Sequence, residues 1–344
     1  MMENFYDLSL MDVRKLVEEL GEPGFRADQI WQGLYQSRWS DIDEFTTLPL
    51  DLRRKLSQQY IVGGLEQEKI LSSADGYTRK YLYRLKDQSA IETVLMGYNQ
   101  RETVCISSQV GCAMGCSFCA TGNMGYFRNL TRGEIIEQVV RSGAIVEAEG
   151  KELTNVVFMG MGEPFHNYEN VLSAIEVLND PVGFAMGLRR FTISTVGIVP
   201  AILKFAAEKS QINLAISLHA ADNRLRSSIL PVNKKYPISS LMDACDSYLH
   251  ETNRRITIEW ALIEGVNDSR DQAEKLVQLL KGKLFHVNLI QLNPVEHYQG
   301  QPSRDQAAAD FRDVLLQAGI PCTIRLRRGI DIQAGCGQLA SKAN

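Results

Sequence analysis

The sequence lacks any uninterrupted apolar run approaching the roughly 20 residues that a membrane helix needs, and no signal-like apolar segment follows Met1. A cytoplasmic protein with no membrane partner is therefore expected. It also lacks an excess of positive charge: 37 Lys and Arg stand against 41 Asp and Glu, a net charge of -4. That balance excludes a chain that coats polyanions along its whole surface, so any nucleic-acid contact has to be a local patch. Internal repeats and low-complexity tracts are absent too. Tryptophan is scarce, and Trp31, Trp39 and Trp260 read as packing residues rather than base-stacking platforms.

Cysteine is what the chain has in an unusual arrangement. There are seven, at positions 105, 112, 116, 119, 245, 322 and 336. An odd number in a chain of 344 residues, long enough to bury a core without cross-links, points to a reducing compartment and not to a disulfide scaffold.

Periodicity divides the chain. Apolar residues at helical spacing, Val13, Leu16, Val17 and Leu20, then Ile30, Leu34 and Tyr35, predict a helical module over residues 1–62. Gly21, Pro23 and Gly24 end its first helix, and Pro49 sits where a third begins. Residues 63–100 alternate with period two around the turn signal Asp75-Gly76, which predicts a short β meander.

From residue 101 to 330, apolar runs alternate with amphipathic stretches, the pattern of βα units with parallel strands. Predicted strands are Thr103–Ser107, Asn155–Met159, Phe191–Ser194, Asn213–Leu218, Ile256–Leu262, His286–Gln291 and Cys322–Leu326. The clearest helix begins at Thr131, with Glu134 closing a capping box. The fold class is thus α/β. Six or seven such units suit a full or partial (β/α) barrel, whose chemistry gathers at the C-terminal strand ends; a doubly wound open sheet is the alternative. Residues 331–344 form a C-terminal segment.

Cys112, Cys116 and Cys119 follow the first predicted strand at spacing C-x3-C-x2-C, in a loop holding Gly111, Gly115 and Gly122. Three thiolates on a four-iron cluster leave one iron free for a substrate or cofactor. The alternative is a zinc site, which asks for a fourth ligand that the local sequence does not offer. Cys336, flanked by Gly335 and Gly337, is an accessible candidate nucleophile. Cys245 and Cys322 read as core thiols.

The cysteine loop, with Phe118 before its last cysteine, resembles that of the radical S-adenosylmethionine (SAM) enzymes, and Met159-Gly-Met-Gly-Glu-Pro164 resembles their glycine-rich segment after the second strand. Taken with Cys-Ile-Ser-Ser-Gln-Val-Gly-Cys at 105–112, Ser217-Leu218-His219 and Ala-Gly-Cys-Gly-Gln-Leu at 334–339, the chain resembles the RlmN/Cfr family of RNA adenine methyltransferases over nearly its whole length. That resemblance implies a [4Fe-4S] cluster on the three cysteines and SAM contacts at Gly162, Glu163, Ser194, Ser217, Leu218, His219 and Asn293.

It further implies two SAM per turnover. Cys336 takes a methyl from the first; the second, cleaved at the cluster, generates a radical on that methyl, which adds to an adenine ring carbon. Glu92 aligns with the family's proposed proton acceptor, and attack of Cys105 on Cys336 releases the product and leaves a disulfide. Implied partners are 23S rRNA and tRNA, with flavodoxin or ferredoxin as electron donor to a monomer. The implied product is C2-methyladenine, with C8 as the alternative. Arg325, Arg327 and Arg328 alternate with Ile324 and Leu326, so one strand face is expected to bury while the other meets phosphate.

Overall fold

In the computed structural model, which describes residues 2–99 and 101–340, ten strands form one sheet and the βα repeat dictates their order. The chain opens with strand β1 (Glu3–Asn4) and helices α1 (Leu10–Glu19), α2 (Phe25–Tyr35) and α3 (Leu50–Ser57), and β2 (Tyr60–Ile61) pairs in parallel with β1. Ser9 and Asp12 form a reciprocal capping box at α1, which satisfies two backbone donors that a helix start leaves open. The module closes on an aromatic cluster: Trp31 and Tyr35 lie 4.5 Å apart, and Tyr6 meets Tyr35 edge-on.

The period-two region forms β3 (Glu66–Ser72), β4 (Thr78–Arg84) and β5 (Ala90–Tyr98), all antiparallel. The turn between β3 and β4 uses Gly76 at φ +71°. The meander extends the main sheet, because β5 pairs with β6 (Arg101–Cys105).

A short hairpin of β7 (Gln109–Gly111) and β8 (Tyr126–Asn129) frames the cysteine loop, with α4 (Ala120–Met124) inside it. The loop therefore follows β7 and not the first barrel strand directly. Helix α5 (Arg132–Ala148) starts at the Thr131–Glu134 capping box and buries Ile135, Ile136, Val139 and Val140. Then come β9 (Leu153–Phe158), α6 (Tyr168–Asn179), β10 (Phe191–Thr195), α7 (Val199–Ala207), β11 (Asn213–Ser217), α8 (Asn223–Ile229), α9 (Ile238–Thr252), β12 (Ile256–Leu262), α10 (Arg270–Leu280), β13 (Phe285–Gln291), α11 (Asp305–Gln317) and β14 (Cys322–Ile324).

Strands β6, β9, β10, β11, β12, β13 and β14 lie side by side in chain order, every pair parallel. A doubly wound sheet reverses its strand order at a switch point; this sheet never does, so it winds as a barrel. It ends at β14 on one side and at β3 on the other, hence a partial barrel. Cys245 packs fully buried on α9, while Cys322 is half-buried at the β14 edge. Trp31 and Trp260 are buried, and Trp39 packs against Phe45.

One expectation fails at the barrel's edge. The last strand stops at Ile324 instead of Leu326, and Leu326 is 81% exposed. With only three residues paired to β13, the chain leaves the sheet before the alternation can bury it.

The stretch between the helical module and β3 is held by Glu137 of α5, which is buried and accepts from the backbone N–H groups of Gly64 and Leu65 while pairing with Arg141 at 2.7 Å. Removing that carboxylate leaves the buried Leu65 N–H and the half-buried Gly64 N–H without an acceptor and Arg141 without its partner. Glu137→Ala should therefore lower the unfolding free energy by about 3 kcal/mol, read from urea denaturation.

Candidate functional site

The C-terminal ends of the parallel strands open into one cavity, and most of the predicted site residues meet there. Its walls carry Cys112, Cys116, Phe118 and Cys119 from the cysteine loop, Gly162 and Glu163 after β9, Ser194 at the end of β10, Ser217 and His219 at β11, and Asn293 after β13. Cys336 closes it. The space there is about 910 Å³, including the part open to solvent.

The segment after β6 is zipped to the segment after β9. Ile106 donates to Val157 O, Gly160 to Ile106 O and Ser108 to Met161 O. Gln109 then clips the two loops, its side-chain oxygen accepting from Glu163 N at 2.9 Å and its amide donating to Asn129 at 2.7 Å. Gly162 is held at φ +103°, and a Cβ there would stand 2.6 Å from the Cβ of Gln109, so only glycine fits.

Glu163 is buried, and its two carboxylate oxygens accept from Phe165 N (3.0 Å) and Val196 N (2.9 Å). Burial nonetheless wins over those bonds and pushes its pKa up to about 7. An isolated buried carboxylate with this bias favours a cationic partner in the cavity. His219 sits at φ +57° with Nδ1 accepting from Ala261 N at 2.9 Å. Its pKa falls to about 3 because burial and then the Arg226 charge oppose protonation, so the ring is neutral with its proton on Nε2. Asn293 donates to Cys336 O at 3.0 Å, and its buried Oδ1 has no partner.

The thiols of Cys112, Cys116 and Cys119 all have raised pKa values, burial being the first cause; Cys112 reaches about 12. Buried thiols of this kind ionise only against a bound cation. The three thiols line one cavity, and a four-iron cluster takes each thiolate on a different iron. The donor set fits such a cluster, and the unpartnered Asn293 oxygen and the buried Glu163 fit the polar end of SAM.

Cys336 also borders a second cavity, shared with Cys105, Met159, Gly335 and Arg325. It is the most exposed of the seven cysteines, the others being buried or half-buried. Burial pushes Cys105 up to about 12, reinforced by Cys336; Cys336 rises to about 11, with Arg325 opposing. Ala120 N donates to Gly337 O at 2.7 Å and Thr121 Oγ1 to Leu339 O at 2.6 Å, so the Cys336 segment is tied to the residues just after Cys119.

Two predicted residues lie elsewhere. Leu218 is fully buried in the core and does not line the cavity, because its side chain faces away from its neighbours Ser217 and His219. Glu92 is buried on β5 and lines a neighbouring cavity; its oxygens are engaged by Lys80 at 2.9 Å and by Ala340 N at 2.9 Å. Lys80 also donates to Gln333 O, so the pair holds both flanks of the Cys336 segment. Residues 341–344 of that segment lie outside the described residues.

No motif in the sequence points to Glu259 or Arg226. Glu259, inside β12, lines the cluster cavity with one oxygen on Asn288 and the other unpartnered. Arg226 is fully buried, donating to Val196 O at 2.7 Å, Asn233 Oδ1 at 2.9 Å and Leu218 O at 3.2 Å. It fastens the loops after β10 and β11 from behind the cavity.

A partial barrel with three cysteines at its C-terminal mouth defines a radical SAM protein, and residues 106–280 match the radical SAM superfamily. That membership implies a [4Fe-4S] cluster and SAM. Residues 3–62 match the ribosomal RNA large subunit methyltransferase N-terminal domain. The chain is 48% identical to the dual-specificity RNA methyltransferase RlmN 1 of Myxococcus xanthus, covering 98% of this chain and 94% of that one. It is 45% identical to a probable dual-specificity RNA methyltransferase RlmN of Chloroflexus aurantiacus, covering 98% and 92%. A crystal structure of a radical SAM methyltransferase from Sphaerobacter thermophilus superposes with a TM-score of 0.97 at 46% identity, over 99% and 100% of the two chains. The chain belongs to the RlmN family of radical SAM RNA methyltransferases.

The Glu163 carboxyl titrates near pH 7 before a cation arrives. If its ionised form binds the SAM ammonium, affinity falls as pH drops through 7, by about tenfold between pH 8 and pH 6. Equilibrium binding of SAM to the iron-loaded protein should show that slope, and Glu163→Gln should flatten it while weakening binding.

Proposed function

We propose that this protein methylates C2 of an adenine in 23S rRNA at the peptidyl-transferase centre, and of the adenine beside the anticodon in tRNAs. The observation that carries this reading is that Cys336 borders two cavities at once, one shared with the three loop cysteines and one shared with Cys105. A thiol that first accepts a methyl and later joins a second thiol has to face both. The naming of the relatives as dual-specificity RNA methyltransferases supports the choice of RNA.

Cys112, Cys116 and Cys119 hold the cluster; Glu163, Ser194, Ser217, His219, Asn293 and the Gly162 backbone hold SAM. Together these groups supply an electron and a 5'-deoxyadenosyl radical. The protein's own part is positional. Asn293 fixes the Cys336 carbonyl, and neutral His219 offers an N–H without adding charge. Gly335 has no room for a Cβ, which would stand 2.6 Å from Asn293 Nδ2, and this lets Cys336 come close to the cavity wall.

Cys336 takes the methyl on sulphur from the first SAM of each turnover. With the second, that methyl loses a hydrogen atom and its carbon bonds the electron-poor adenine carbon. As the ring proton leaves, the adduct's unpaired electron returns to the cluster. The Cys105 thiolate then attacks the Cys336 sulphur and breaks its bond to the methylene carbon, which takes a proton to become the product methyl while the two cysteines are left as a disulfide. Glu92 serves in this reading as an anchor for the Cys336 segment, since Lys80 and Ala340 occupy its carboxylate. A cytoplasmic monomer reduced by flavodoxin or ferredoxin completes the proposal.

Cys105→Ala should accumulate a covalent protein–RNA adduct through Cys336, visible as a shifted band that nuclease collapses. Cys336→Ala should abolish methylation without loss of iron. Mass spectrometry of RNA treated with the native protein should give 2-methyladenosine; 8-methyladenosine instead would overturn the assignment of the carbon, and normal methylation by Cys336→Ala would overturn the mechanism.

A further inference from the structure

The segment that leaves β14, Arg325-Leu326-Arg327-Arg328, lines the mouth of the Cys105–Cys336 cavity. Its four side chains have four different fates. Arg325 is half-buried, with Glu259, Cys336 and Tyr98 as its electrostatic neighbours. Arg328 is clamped between rings, 4.7 Å from the centroid of Tyr98 and 5.0 Å from that of Tyr77, with Asp75 at 3.8 Å. Arg327 is exposed. Leu326 is 81% exposed, the highest value of any large apolar side chain among the described residues.

A lone exposed leucine on a protein surface needs no explanation. This one stands at the lip of the cavity that holds both reacting thiols, between arginines, on a segment fixed by the stacked Arg328. An adenine in folded RNA is stacked, and it reaches a buried thiol only by leaving the stack. Proteins that open a stack insert an apolar side chain beside the displaced base, where it replaces part of the lost contact.

We propose that Leu326 is that wedge: it enters the RNA stack next to the target adenine as the base turns into the Cys105–Cys336 cavity, while Arg327 meets the flanking phosphate. The cationic surroundings suit a polyanionic strand, and the cavity behind the leucine gives the displaced base its destination. This rests on the proposed RNA substrate and names how that substrate is opened.

The test uses the full chain with its cluster loaded and chemically reduced, in single turnover. Two RNAs of one sequence are compared: a folded stem-loop carrying the adenine, and the same RNA with an abasic nucleotide beside that adenine, which removes the stacking partner. Leu326→Ala should slow methylation of the folded RNA by about tenfold or more, the scale of an unstacking penalty, and the abasic RNA should restore it to within about twofold of the unsubstituted protein. Leu326→Met should behave as the unsubstituted protein on both. With 2-aminopurine beside the adenine, binding of the unsubstituted protein should raise fluorescence, and binding of Leu326→Ala should raise it less.

Equal slowing on both RNAs would overturn the wedge. So would a defect seen only when flavodoxin replaces the chemical reductant, which would make Leu326 part of a protein-docking surface. Failure of the unsubstituted protein to methylate either RNA would instead overturn the RNA reading itself, and the wedge with it.

Discussion

Two hydrogen bonds tie the segment carrying Cys336 to the loop carrying Cys112, Cys116 and Cys119: Ala120 N to Gly337 O and Thr121 Oγ1 to Leu339 O. They come from the two residues immediately after Cys119, so the place of one thiol is set by the fold of the loop that holds the other three. Everything else at the mouth of the barrel supports that junction. Asn293 holds the Cys336 carbonyl from β13, Gln109 clips the Glu163 loop to the cysteine hairpin, and the Lys80–Glu92 pair grips the segment on either side. Main-chain anchors of this kind fix the backbone while leaving the sulphur free to face either cavity.

The electrostatics follow the same division between fixed and free. Arg226 keeps its charge fully buried, with carbonyl and amide oxygens as its hydrogen-bond partners, and burial lowers its pKa to about 10. Glu163 keeps a carboxylate that burial biases toward protonation. His219 is held neutral by burial and by the Arg226 charge. Each of these groups is costly where it stands, and each faces or backs the cavity where a charged ligand would compensate it.

Local patterns made the scaffold legible. The alternation of apolar runs with amphipathic stretches located all seven parallel strands, because each strand of a buried parallel sheet announces itself in its own sequence. Thr131 and Glu134 announced a helix start in the same way. The cysteine spacing was equally local, and the glycine-flanked Cys336 stood out for want of any packing role. What was not legible depended on partners far away in sequence. Glu92 was singled out by the family resemblance as a proton acceptor, but its pairing with Lys80 and Ala340 depends on residues far away in sequence, and Arg226 carries no motif at all. Leu218 came with the family resemblance as the middle of Ser217-Leu218-His219, and its side chain is buried in the core. Leu326 failed for a different reason: alternation says which face a residue takes only while the strand continues, and this strand stops two residues short.

The contact between Glu92 and Ala340 joins residues 248 positions apart. The loop with Cys112, Cys116 and Cys119 lies between those two residues in the sequence, while Cys336 lies four positions before the second of them. No local run of sequence therefore brings the acceptor thiol to the radical-forming loop. Their pairing is a property of the tertiary fold alone, and any opening of the sheet that parts β5 from the Cys336 segment parts the two chemistries as well.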